Sequence, residues 1–448
     1  MVNATTAPAP APAPPSAPAE RHLARLRRER TSIKWTRFAD DVLPLFVAEM
    51  DYDLAEPTVD ELVRRVRASD VGYLDGPGPL APAFARFALD RWGWCVDESR
   101  VHIATDVSVG IVETLRLAVP RGGRVVVTPP VYPPFFELVE EAGAEVVCVP
   151  LLVPGESVGD ATRASSGSPA LACDGRAGDG RAGDGRARTG RAGLDRAGLD
   201  RAGLDRAGLD LAGLERAFAS GVDAVLLCNP HNPLGIVHDA AALAEVARLA
   251  ARYDVLVVSD EVHAPLTHPG VAFTPFSPVA EAQGARSVTV TSASKGWNLA
   301  GAKCSLVVAG DDRTAVLLDG LVEEVACRTS ILVLHANVVA FGCIDWLDDA
   351  VARIVANDAL LASLLAEHLP GVTYHRPAAG YLAWLDLRPL GLGDDPAAVV
   401  LAEARVALNA GHTYGPGGAG HARLNLACDP GVLVEAVRRI AALVASRT

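Results

Sequence analysis

The chain has 448 residues, half of them hydrophobic and 21% charged, which leaves room for two or three cores at about 100–200 residues each and excludes both a short peptide and a wholly disordered chain. Its 54 Asp and Glu against 41 Lys and Arg give a formal charge of −13, which excludes nucleic acid and anionic membrane surfaces as expected partners. The eight cysteines are scattered, with no CxxC and no Cys/His spacing suited to zinc, so no metal is expected and the thiols read as reduced.

Residues 1–30 read as a disordered, basic tail: an Ala/Pro stretch over 1–19 without an apolar signal region, then a basic run from Arg21 to Arg30. No run of about 18 or more apolar residues occurs anywhere, so neither export nor a membrane span is expected, and the expected location is the cytoplasm. Residues 31–50 are expected to pack with the C-terminal part. Over 51–320 short apolar runs alternate with helical patterns: Arg124–Thr128, Glu145–Pro150, Ala224–Cys228, Val255–Ser259, Ser287–Thr291 and Cys304–Ala309. Runs that are apolar throughout suit strands covered on both faces, and Ala240–Tyr253 carries helical spacing between two of them. The predicted fold is α/β, a mainly parallel sheet with helices on both faces. Residues 155–208 interrupt it with two copies of GRAGD and four of RAGLD, a glycine-bearing five-residue period too short to build a buried layer. That stretch reads as a disordered insertion. Residues 321–448 are predicted as a smaller α+β domain with a strand at Tyr381–Leu387 and a last helix at Val432–Ser446.

Only three of the 41 basic residues are lysines: Lys34, Lys295 and Lys303. Lys295 stands in TSASKGWNLAG, where a strand ends in small hydroxyl residues, among neighbours that would leave an amine easily deprotonated. Upstream, CNPHNPLG forces a turn after a strand and offers the Asn232 amide to a ligand. VVSDEVH places Asp260 and His263 just past the next strand, and a carboxylate entering a low-dielectric site needs a cationic or protonated partner. Tyr132, in TPPVYPPF, follows another strand; its ring could stack on a flat heterocycle, and taken alone it suits a core position equally well.

These pieces, in this order, resemble the pyridoxal-phosphate-dependent fold type I enzymes of aminotransferase class I/II. PPVYPPF, CNPHNPLG, SDEVH, SxSKxxNLAG and RLNLAC together look like the MalY/PatB branch, mostly cystathionine β-lyases and cysteine C–S lyases. The resemblance spans about 33–447 apart from the insertion. It implies a pyridoxal 5'-phosphate cofactor bound covalently by Lys295, with Asp260 on the pyridine nitrogen, Asn232 and His263 at the phenolic oxygen, and Tyr132 stacked on the ring. It further implies that phosphate is held by the amides of Val107, Ser108 and Val109, by Ser292, and by Tyr73 from the neighbouring subunit of a homodimer whose sites are shared. Lys303 stands where relatives place a phosphate-binding arginine, and Val107 where they often have glycine. Arg423 would clamp the carboxylate of an amino-acid substrate. The implied activity is α,β-elimination on cystathionine or another S-substituted cysteine, giving a thiol, pyruvate and ammonia. An aminotransferase, and a regulatory protein that uses its cofactor site for interaction, remain alternatives. An oxidoreductase of the dinucleotide-binding type is disfavoured because no GxGxxG joins a strand to a helix.

Overall fold

The computed structural model describes residues 17–153 and 208–447. The repeat insertion expected over 155–208 lies outside the described residues except for Gly208. The expectation of a disordered tail over 1–30 is corrected for Ala17–Glu29, which is helical. Leu23 and Leu26, three residues apart, are buried on one face of that helix. Its arginines find partners elsewhere, Arg25 with Asp53 at 3.1 Å, while Arg30 just beyond it donates to the carbonyls of Met50 at 3.0 Å and Tyr52 at 2.9 Å. Apolar spacing thus outweighs the basic composition. A two-residue strand, β1 (Leu43–Pro44), follows.

The large sheet is built from β2 (Val101–Ala104), β3 (Arg124–Val127), β4 (Glu145–Cys148), β5 (Ala224–Cys228), β6 (Leu256–Asp260), β7 (Ser287–Thr291) and β8 (Ser305–Ala309), in the order β2-β8-β7-β6-β5-β3-β4. β8 runs antiparallel to both its neighbours and the other pairings are parallel. Every residue of β5, β6, β7 and β8 is buried, as a sheet covered on both faces requires. The helix Val107–Ala118 lies so close to this sheet that a Cβ on Gly110 would come within 2.9 Å of Val307 and 3.0 Å of Val290. Glycine there lets the helix start directly above the sheet edge.

The C-terminal part carries a four-stranded antiparallel sheet, β9 (Thr373–His375), β10 (Leu382–Asp386), β12 (Asn409–Ala410) and β13 (His421–Asn425), ordered β12-β13-β10-β9. Helices Ile344–His368 and Pro430–Ala445 pack with it. β11 (Val406–Ala407) pairs parallel with β1. One contiguous core runs from Leu23 and Trp35 through Ile103 and Leu306 to Leu424 and Ile440. Among the described residues no single helix is long and apolar enough to cross a membrane. Among the described residues six cysteines are free thiols.

Candidate active site

The parallel strands end along one edge of the large sheet, the edge at which such sheets bind ligands. β3 leads into Tyr132, β5 into the turn that carries Asn232, β6 ends in Asp260 and continues to His263, and β7 runs through Ser292 into the one-turn helix Ala293–Gly296 that holds Lys295. β13 brings Arg423 from the smaller sheet.

The three lysines separate by environment. Lys34 is buried and ion-paired with Asp51 at 2.5 Å, while also donating to the Glu49 carbonyl at 2.9 Å. Lys303 pairs with Asp106 at 2.8 Å. Lys295 alone has no carboxylate within ion-pair distance among the described residues; its Nζ donates to the Ala48 carbonyl at 3.1 Å. Burial first, then the charge of Arg423, pushes its amine down to about 8 against the opposing pull of Asp260. A sizeable uncharged fraction near neutral pH follows, which is what a nucleophile or a base needs.

Arg423 is buried to 3% exposure, yet it too lacks an anion. Its Nη1 donates to Asn232 Oδ1 at 3.1 Å and its Nη2 to the Phe46 carbonyl at 3.0 Å. Its Nε is buried without a partner, and its guanidinium lies 5.5 Å from the centre of the Tyr414 ring. A desolvated cation held only by neutral acceptors calls for an anion, and the planar fork suits a carboxylate.

Asp260 is buried and accepts from the Val262 amide at 3.1 Å; burial pushes its carboxyl up to about 6, with Lys295 opposing. His263 is buried, its Nδ1 has no partner, and its ring centre lies 6.1 Å from that of Tyr381. Burial, then the charges of Lys295 and Arg423, push it down to about 3, so it is neutral at physiological pH. Tyr132 is half-buried and packs edge-on against Phe135 at 5.8 Å.

Next to Asp260, Glu261 accepts from Ser259 Oγ at 3.0 Å and from the Phe276 amide at 2.8 Å, while its second oxygen is buried without a partner. Burial pushes its carboxyl up to about 8. The unfolded chain ionises this group near 4.5, so its contribution is fully present below that pH and is lost as pH rises through about 8. Glu261→Gln, which mimics the protonated acid, is therefore expected to raise the melting temperature of the cofactor-free protein at pH 8 and to change it little at pH 4.5. Equal shifts at both pH values would contradict this.

The residues assigned to phosphate are placed unevenly. Val107, Ser108 and Val109 open the helix Val107–Ala118, but its N-cap, Asp106, already accepts from the Val109 amide at 2.9 Å. Ser292 gives its proton to the Cys304 carbonyl at 2.6 Å and accepts from the Ser294 amide at 3.0 Å. Tyr73 is 92% exposed, turned away from the rest of its own chain. Four contributors escaped the motif reading: the carbonyls of Phe46 and Ala48, the Tyr381 hydroxyl, which shares the Ala48 carbonyl at 3.0 Å, and Asp106. Only Asp106 left a signal, an acidic residue directly before a helix start.

The family model for aminotransferase class I and II matches residues 195–440. A Mycobacterium tuberculosis relative whose name gives cystathionine beta-lyase as a provisional activity is 39% identical over 95% of this chain and 98% of its own. The Bacillus subtilis cystathionine beta-lyase PatB is 28% identical over 92% and 96%. The crystal structure of a Corynebacterium diphtheriae protein, described provisionally as a PLP-dependent beta-cystathionase, superposes with a TM-score of 0.78 at 30% identity, covering 94% of this chain and 98% of that one. The motifs at the strand ends, the sheet that presents them and these relatives agree: the chain belongs to the aminotransferase class I and II family.

Proposed function

We propose that the protein is a pyridoxal-phosphate-dependent carbon–sulfur lyase that acts on cystathionine or another S-substituted cysteine and releases a thiol, pyruvate and ammonia. The observation that carries this reading is the pair Lys295 and Arg423, neither of them within ion-pair distance of a carboxylate among the described residues, with Arg423 bonded to Asn232 and both acting electrostatically on His263. The side chains fit the cofactor. Lys295 offers the amine that binds its aldehyde, Asp260 is a buried carboxylate short of a cationic partner and suits a protonated ring nitrogen, and the unpartnered His263 Nδ1 together with the Asn232 amide suits its phenolic oxygen. When bound, pyridoxal phosphate supplies an electron sink for negative charge at the substrate Cα.

The protein supplies position and proton transfer. Arg423 takes the substrate carboxylate and so orients the Cα–H bond, and the Lys295 amine, uncharged in part near pH 8, removes the Cα proton as general base. The relatives named as cystathionine beta-lyases support elimination over amino-group transfer. The test is to incubate the purified holoenzyme with L-cystathionine and, separately, an S-alkyl cysteine, without any keto acid, and to assay pyruvate and free thiol. Repeated turnover supports the lyase. Product that appears only after a keto acid is added, with the amino group recovered on that acid, would replace it with an aminotransferase.

The same reading includes a cytoplasmic homodimer in which Tyr73 reaches the partner's phosphate site. Exposed Val66, Val71 and Tyr73 on one segment support this, because twofold association buries such patches. Tyr73→Phe is expected to weaken cofactor retention on dialysis about tenfold, the loss of one hydrogen bond to a charged group. Unchanged retention would remove Tyr73 from the site.

A further inference from the structure

Two of the donors assigned to the cofactor phosphate, the Val109 amide and Lys303, are already engaged by an anion that belongs to the chain. Asp106 Oδ1 accepts from the Val109 amide at 2.9 Å, and Oδ2 accepts from Lys303 Nζ at 2.8 Å. Burial alone would raise this carboxyl, but Lys303 and the Val109 amide hold it below the usual carboxylate range, so it is charged at neutral pH. Lys303 is restrained in turn: it sits in the left-handed region at φ 22°, at the end of the turn that follows the Lys295 helix, and Asp106 is its ion-pair partner among the described residues. A phosphate monoester carries a charge of about −1.5 to −2 near pH 7, and a carboxylate sharing its donors repels it through a partly desolvated medium.

We propose that Asp106 is a built-in competitor for the cofactor phosphate, occupying the Val109 amide and Lys303 in the free protein and setting how tightly the phosphate group is held. The proposal rests on the cofactor reading above. It makes Asp106 a positioning residue, which keeps the Val109 amide and Lys303 aimed at one point before the cofactor arrives and lowers affinity once it does. Lys303 is the donor that passes from carboxylate to phosphate.

The test compares dissociation constants for pyridoxal phosphate and for pyridoxal, which has the same aldehyde and ring but no phosphate, measured by titrating cofactor-free protein and following absorbance. Asp106→Asn keeps an oxygen to cap the helix and removes the charge. It is expected to tighten pyridoxal phosphate about tenfold and to leave pyridoxal within about twofold. Lys303→Met is expected to loosen pyridoxal phosphate selectively, and adding Asp106→Asn to it should give a larger gain than in the wild type, because the carboxylate is then unscreened. Asp106→Ser, also a good cap, repeats the measurement should the Asn variant fold poorly. Unchanged or weaker pyridoxal phosphate binding in both Asp106 variants would overturn the proposal, as would an equal gain for pyridoxal. If wild-type protein bound neither compound, the cofactor reading itself would fall, and this inference with it.

Discussion

Replacing Lys295 with alanine is expected to remove the visible absorption of lysine-bound pyridoxal phosphate and to lower turnover by about 10²- to 10⁴-fold, the range contributed by a positioned general base. The expectation rests on elimination among the three lysines. Lys34 is ion-paired with Asp51 inside the N-terminal segment and Lys303 with Asp106 at the sheet edge, so each of these amines is already engaged by a carboxylate. Lys295 is the one whose surroundings favour the neutral amine. Absorption spectra of the purified variant with added cofactor decide the matter, since a persisting band would assign the covalent bond to another lysine.

Arg423→Met is expected to lower kcat/KM by roughly 30- to 700-fold, carried mainly by KM, with the absorption of bound cofactor retained. Truncating one partner of a buried charge pair costs about 2–4 kcal/mol, and each 1.4 kcal/mol is a factor of ten. Here the missing partner is the substrate's carboxylate. The ligand-free protein should lose little stability, because the substitution removes a desolvated cation that no anion balances even as it leaves the Phe46 carbonyl without its donor. Steady-state kinetics with an amino acid and with the matching amine, which lacks the carboxylate, separate the two roles. If the variant discriminates between them as strongly as the wild type, Arg423 does not bind that group.

Much of the large sheet was legible because strands covered on both faces carry uninterrupted apolar runs: β5 and β7 fall where Ala224–Cys228 and Ser287–Thr291 were read. β2 was not singled out, since VHIA is four residues long and contains a histidine, and the reversed direction of β8 leaves no mark in composition. The N-terminal helix was masked by its arginines, whose charges dominate a composition reading while Leu23 and Leu26 decide the packing. Side chains at strand ends were readable because prolines, small residues and rare lysines mark them. Backbone carbonyls were not: any residue type could stand at Phe46 or Ala48 and still accept from Arg423 and Lys295. The Asp106 to Lys303 contact likewise joins positions far apart in the chain, and only the fold brings them together.

The reliance of Lys295 and Arg423 on carbonyls near the start of the chain bears on how the protein is made. Residues 46–48 are synthesised before the Lys295 helix, and that helix before Arg423. The helix Ala17–Glu29 and β1 have their packing partners in Pro430–Ala445 and in β11. The early segment therefore waits for β11 and the helix Pro430–Ala445, which are made after the large sheet. A chain interrupted before residue 423 therefore lacks Arg423 together with the helix that packs on Ala17–Glu29.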